Sequence, residues 1–255
     1  MEFHEGDLVT RNSYKNDVVF KILSIRGEVA YLKGTQVRLY ADAPLEDLAI
    51  YEVDDRTIEE DEMTSDRFLG DYFYLPGKVL HIDADADYLA RCMRFYQKNK
   101  VMAVGKKITE KEVPKQIKDL LVDYQPDIVI ITGHDAYYPK KGDTKDIKNY
   151  RNTKYFVEAV KEARRYEKSH EKLVIIAGAC QSNYEELIKA GANFASSPKR
   201  VNIHALDPAI IACVLATSER NKEIDLVSLL KKTKYGASGM GGIISNGMMY
   251  VGFPR

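Results

Sequence analysis

Two short runs place reactive side chains just beyond apolar stretches. "DIVIITGHDAYY" leaves its apolar run at Thr132 and delivers Gly133, His134 and Asp135, while "KLVIIAGACQSNYEEL" leaves its run at Gly178 and delivers Cys180, Gln181 and Ser182. A structural cysteine usually lies inside an apolar run, whereas Cys180 lies where a strand would hand over to a helix. A histidine paired with a thiol is the equipment of nucleophilic catalysis, the imidazole taking the proton and the thiolate attacking a carbonyl carbon. The histidine precedes the cysteine by about fifty residues, the chain order of caspase-like cysteine peptidases.

The cysteine turn carries its own electrostatic argument. Ser182 and Glu185 form an S-x-x-E capping box, which puts Cys180 just ahead of a helix start, where free amides and the positive dipole end favour a thiolate. The same amides, from Cys180 onward through Gln181 and Ser182, could receive a developing oxyanion. Gly178 and Ala179 are small enough to allow that approach.

The remaining histidines and cysteines have plainer explanations. His4 falls in an N-terminal β-region, His81 inside a strand and His170 at the polar end of a helix. Cys92 falls in an amphipathic helix and Cys213 in an apolar one, so both are expected to be inert. His204, in "RVNIHALDP", follows the cysteine and is the rival base. With it, the turn approximates the strand–elbow–helix of cysteine amidotransferases, whose base lies downstream.

These residues need a frame to hold them. Residues 76–255 alternate apolar runs with amphipathic helices: "KVLHID", 86–99, "VMAVG", 110–124, "DIVIIT", 152–168, "LVIIAG" and 183–190. Four such units predict a Rossmann-like α/β domain, a parallel sheet with helices on both faces. In an open sheet of this kind reacting groups gather at the carboxyl ends of the strands, where His134 and Cys180 would both lie. Thr109 and Glu112 read as a capping box, Asp207 as an N-cap before Pro208, and Asn246-Gly247 as a β-hairpin turn. Residues 1–51 read as short strands with turn punctuation, a small SH3-like β-module. The acid-rich stretch 52–75, which includes "EVDDRTIEEDEMTSDR", reads as a solvated linker between the two domains.

Composition excludes several partners. Lysine plus arginine equals aspartate plus glutamate at 38 each, so no global field would hold nucleic acid or an anionic membrane. The apolar runs are too short to cross a bilayer, and no signal peptide is read at the start. Three cysteines match no zinc or disulfide spacing, so the expectation is a reducing interior, free thiols, and no metal or cofactor.

The runs "DIVIITGHDAYY" and "LVIIAGACQSNYEELIKAGANFASSPKRVNIHALDP", with the N-terminal β-module, resemble the sporulation-specific YabG peptidases over nearly the whole chain. The resemblance implies a cysteine endopeptidase of a spore-former, in the mother-cell cytoplasm or associated with the spore coat, that processes spore coat and related spore proteins. It implies a caspase-like core with Cys180 as nucleophile and His134 as general base. One departure is plain: caspase-type patterns read His-Gly, whereas here Gly133 precedes His134, so an oxyanion amide after the histidine would belong to Asp135. Arg-specific relatives in that wider group can carry an acid two residues before the cysteine, where this chain has Gly178. The expected walls of a substrate pocket are Asp135, Tyr137, Tyr138, Ser196, Ser197 and Asp207, with Asp135 as the acid that could select a basic residue. Beside the peptidase stand two alternatives, an amidohydrolase or amidotransferase using His204, and a non-enzymatic coat assembly scaffold.

Overall fold

The computed structural model describes residues 3–51, 71–139 and 142–253. The chain divides into two compact units, Met1–Glu60 and Asp61–Arg255. The expected linker lies outside the described residues from 52 to 70.

The first unit is an antiparallel sheet of short strands: β1 (Leu8–Arg11), β2 (Phe20–Arg26), β3 (Val29–Gly34), β4 (Tyr40–Pro44) and β5 (Leu48–Ile50), in the order β4-β3-β2-β1-β5. Alternation of side chains sends Val9, Phe20, Ile22, Ala30, Leu32, Ala43 and Leu48 into one small core. A 3₁₀ turn, Leu45–Asp47, returns the chain to β5. Asp47 knots that turn to the first strand: its carboxylate accepts the Ser13 amide and hydroxyl, each at 2.7 Å, and Arg11 Nε at 3.1 Å.

The second unit is built on a sheet of order β12-β11-β10-β9-β7-β8. Its parallel strands are β7 (Val79–Asp83), β8 (Ala103–Lys107), β9 (Ile128–Thr132), β10 (Val174–Ala177) and β11 (Phe194–Ser196), and β12 (Met240–Gly242) closes one edge antiparallel to β11. The helices are α1 (Ala86–Lys98), α2 (Val113–Tyr124), α3 (Thr153–Tyr166), α4 (Tyr184–Ala190), α5 (Asp207–Ala216), α6 (Leu226–Lys231) and α7 (Gly236–Gly239).

The central strands are apolar on both faces because both faces are covered. Val79, Ile128, Ile130, Val174, Ile176 and Phe194 meet α1 and α5, whereas their neighbours Leu80, Ile82, Val129, Ile131, Ile175 and Ala195 meet α2, α3 and α4. The apolar spacing of helix α3 predicts a core stripe of Tyr155, Phe156, Ala159, Val160, Ala163 and Tyr166; the structure buries Phe156, Ala159, Val160 and Ala163, adds Val157, and leaves Tyr155 half-buried and Tyr166 exposed. Helix α5, apolar on all sides, is buried along nearly its whole length.

Three local expectations are corrected. Helix α2 begins at Val113, with Thr109 setting up the preceding turn through its carbonyl and not through a capping hydroxyl. Asp207 is the first residue of α5; its carboxylate accepts the amides of His204 at 2.9 Å and Lys234 at 2.8 Å. Asn246-Gly247 makes no hairpin: β12 pairs with β11, and β13 (Tyr250–Gly252) pairs with β6 (Phe73–Leu75), the end of the stretch read as linker. Gly247 is needed for close approach, since a Cβ there would stand 2.1 Å from the Ser218 carbonyl oxygen.

Candidate active site

The two reactive runs leave adjacent parallel strands. Ile131 of β9 lies in register with Ala177 of β10, the Gly178 amide donates to the Ile131 carbonyl at 3.0 Å, and Thr132 Oγ1 donates to the Gly178 carbonyl at 2.9 Å. His134 and Cys180 therefore emerge at one sheet edge, each three residues beyond these paired positions. Gly178 makes the exit turn at φ 104°, and a Cβ there would meet Leu187 Cδ1 at 2.8 Å and Ser196 Cβ at 3.2 Å.

His134 is held from two sides. Its ring Nε2 stands 3.3 Å from Asp85 Oδ2, and its amide donates to Glu110 Oε1 at 2.7 Å. Asp85 is itself fixed: it is the N-cap of α1, accepting the Asp87 and Tyr88 amides, while its own amide donates to Asp83 Oδ1 at 2.9 Å. Gly133 makes room for the second contact, since a Cβ there would lie 2.5 Å from Glu110 Oε1. The ring of Tyr88 lies against His134 with centroids 5.9 Å apart.

The sulfur of Cys180 is wholly buried on the α1/α5 face of the sheet, where the Ile203 amide donates to it at 3.3 Å. The expected capping box at Ser182 and Glu185 is not formed. Helix α4 starts at Tyr184 and is capped by Asn183, whose side chain accepts the Glu186 amide. The Gln181 amide is engaged by Ser197 Oγ at 2.9 Å and the Val201 carbonyl at 3.1 Å, so it is no oxyanion donor in this state. Ser182 Oγ accepts the Ala179 amide at 3.0 Å and donates to Asp135 Oδ2 at 2.8 Å. The donor at the sulfur is thus a loop amide and not a helix amide.

This edge is backbone-strained and tightly bonded. Gln181, Ser197 and Arg200 all adopt positive φ, at 59°, 61° and 56°, a conformation costing about 1–3 kcal/mol for each such residue. Side chains hold them there: Gln181 Oε1 accepts the Tyr137 amide at 3.2 Å, Ser197 Oγ donates to the Val201 carbonyl, and Arg200 donates to Tyr150 Oη at 2.7 Å and to Glu185 at 2.5 Å. Ser197, within these contacts, and Ser196 beside it, both expected to line a substrate pocket, are fully buried.

Asp135 is the second departure from expectation. Its side chain is buried and accepts four hydrogen bonds, from the Asn152 amide at 2.7 Å, the Ala136 amide at 2.9 Å, Ser182 Oγ and Thr153 Oγ1. Burial pushes its carboxyl above the usual aspartate range, and these four donors oppose that only in part. Its backbone amide, in contrast, has no acceptor among the described residues.

His204, the rival base, is near the sulfur in sequence, one residue after Ile203. Its Nδ1 accepts the Leu206 amide at 3.2 Å, which occupies that lone pair. Cys92 and Cys213 are as buried as Cys180, so exposure does not distinguish the three thiols. Asp85 and Glu110 were missed from sequence. Asp85 lies just past the end of "KVLHID", at the same sheet edge that singled out the other two, and could have been found by the same rule.

A family model described as YabG peptidase U57 matches residues 4–68 and 56–254. The chain is also 40% identical, over 286 aligned residues, to the sporulation-specific protease YabG of Bacillus subtilis (strain 168), with 100% of this chain and 99% of that relative covered. Among the described residues no helix is long and apolar enough to cross a membrane.

Proposed function

This chain belongs to the YabG peptidase U57 family, a peptidase with a role in sporulation, and from that membership we propose a cysteine endopeptidase in which Cys180 is the nucleophile, His134 the base and Asp85 its orienting acid. The observation that carries the reading is the Asp85 carboxylate 3.3 Å from His134 Nε2, at the strand edge beside the one that delivers Cys180. A carboxylate there keeps the proton on Nε2 and leaves Nδ1 as the basic atom.

In the mechanism, His134 Nδ1 takes the Cys180 proton and the thiolate adds to the peptide carbonyl carbon. The Asp135 amide receives the oxyanion, and the imidazolium returns the proton to the leaving amine. Water, deprotonated by His134, then hydrolyses the thioester. In the resting protein the sulfur is buried and accepts the Ile203 amide, so in this reading substrate entry displaces that contact. Substrates are spore coat and related spore proteins, met in the mother cell or at the coat. The strand order of the first unit, with its 3₁₀ turn before β5, supports an SH3-like module that recruits them, and the apolar-on-both-faces sheet supports a caspase-like core.

A second reading, an amidohydrolase using His204, is favoured by the Ile203 amide at the sulfur, and opposed by the bond that occupies His204 Nδ1. Separate alanine variants decide between them. Cys180→Ala and His134→Ala should each remove peptide cleavage by about 10³-fold or more, and His134→Ala should slow alkylation of Cys180 by iodoacetamide. Asp85→Asn should lower kcat roughly 10–100-fold with KM little changed. Loss of turnover in His204→Ala with retention in His134→Ala would overturn the assignment. Removing residues 1–51 tests recruitment: short-peptide cleavage should persist while cleavage of a full-length coat protein falls.

A further inference from the structure

We infer that Asp135 is a positioning residue that locks the His134 loop to the Cys180 turn, and that it does not read the substrate. The inference rests on the peptidase assignment above and deepens it. The four bonds of its carboxylate reach both reactive segments. On the cysteine side, Ser182 Oγ donates to Oδ2 at 2.8 Å while accepting the Ala179 amide at 3.0 Å, so one hydroxyl staples the residues flanking Cys180 to the carboxylate. On the histidine side, Oδ1 accepts the Ala136 amide at 2.9 Å, directly past His134 and Asp135.

The start of α3 is the third party. Oδ1 accepts the Asn152 amide at 2.7 Å, Asn152 Nδ2 returns to the His134 carbonyl at 2.8 Å, and Thr153 Oγ1 donates to Oδ2 while accepting the Asn183 amide at 3.1 Å. Segments 134–136, 152–153 and 179–183 are therefore closed into one hydrogen-bonded knot around a single buried carboxylate. A carboxylate is required because only it offers about four acceptor sites and no donor. With all four engaged, nothing remains to receive a lysine or arginine of a substrate. The knot fixes the segments that carry thiol and imidazole relative to one another, and a misplacement of about 1 Å at a reacting pair costs on the order of 10²-fold in rate.

The test compares Ser182→Ala and Asp135→Asn with the wild-type chain, each assayed at a temperature where circular dichroism shows it folded. Two readouts are taken on a short peptide and on the thiol: the division between kcat and KM, and the pH profile of Cys180 alkylation. Both variants should lower kcat roughly 10–100-fold with KM within about twofold. Both should also move the alkylation profile to higher pH, because the segment that carries the base is no longer fixed to the one that carries the thiol. The double variant should lose little more than the worse single one, since both cut one knot. If Asp135→Asn does not fold, Ser182→Ala decides alone. Unchanged kcat and alkylation in a folded Ser182→Ala with only a lower melting point would overturn the inference and leave the peptidase standing. A raised KM for basic substrates in Asp135→Asn with kcat kept would make Asp135 a substrate-reading acid. His134→Ala alkylating like wild type would fail the peptidase assignment itself, and the inference with it.

Discussion

Asp47, in the 3₁₀ turn of the N-terminal unit, and Asp135, at the edge of the α/β sheet, make related knots with opposite electrostatic outcomes. Each carboxylate gathers a serine hydroxyl and backbone amides from segments distant in sequence. At Asp47 the Ser13 hydroxyl, then the Ser13 amide, lower the carboxyl below the usual range, because water still reaches it and desolvation is the lesser effect. At Asp135 desolvation is the largest effect and raises it. The comparison teaches that hydrogen bonds alone do not set the character of a carboxylate; the depth at which they are made, together with the Arg11 cation beside Asp47, decides the sign.

The largest consequence is in stability. Asp135→Ala strands two hydroxyls and two amides in a site closed to water, and such a loss of a buried charged partner costs about 3–5 kcal/mol. Asp47→Ala frees the Ser13 hydroxyl and amide and the Arg11 guanidinium where water replaces the lost acceptor, so its denaturation midpoint should stay close to wild type. Urea unfolding followed by circular dichroism, suited to a chain without tryptophan, measures both. Comparable losses at the two positions would mean that depth is not what separates them.

A matched pair of glycines sharpens the same contrast at smaller scale. Gly6 and Gly178 have nearly identical φ, 100° and 104°, but a Cβ on Gly6 meets nothing within 4 Å while one on Gly178 meets Leu187 Cδ1 at 2.8 Å. Gly6→Ala should cost only the backbone term, about 1–2 kcal/mol. Gly178→Ala should add about 1–3 kcal/mol of overpacking, and it should also lower turnover because it displaces the turn that carries Cys180. Equal melting shifts would show that Leu187 yields freely.

How much of this was legible in the sequence follows from which forces act locally. The apolar runs "DIVIIT" and "LVIIAG" announced β9 and β10 because strands covered on both faces need no polar positions, and the edge rule then singled out His134 and Cys180. Local capping signals failed where tertiary contacts outbid them. Ser182 reads as a cap, but its hydroxyl goes to Asp135, 47 positions away, and Asn183 takes the capping role. Asp135 reads as a pocket acid because its four partners come from three segments that no spacing connects. Glu110 was invisible for a similar reason: it reaches the His134 amide across 24 positions, through a gap that exists only because residue 133 is glycine. Asn246-Gly247 looked like a hairpin because its small residue was read as a turn former, when it was needed beside the Ser218 backbone.

The smallest expected effect is the dependence of stability on pH, and here the two carboxylates should pull in opposite directions. The folded protein binds the Asp135 proton more tightly than the unfolded chain does, since its carboxyl lies above the ordinary value of 3.8. The proton-linked part of what Asp135 contributes is therefore complete below that value and is lost as pH rises through the raised one, while the four hydrogen bonds to the carboxylate remain above it. Asp47 is the reverse: its carboxyl lies below 3.8, so its contribution is present above that value and is lost as pH falls through the lowered one. The measurement is the difference in unfolding free energy between wild type and each asparagine variant, taken across mildly acidic pH. Relative to Asp135→Asn, the wild type should lose stability as pH climbs from about 4 toward neutrality; relative to Asp47→Asn, it should lose stability as pH drops below about 4. Slopes of the same sign would mean that the four donors around Asp135 outweigh its burial, and that the two knots differ in place but not in kind.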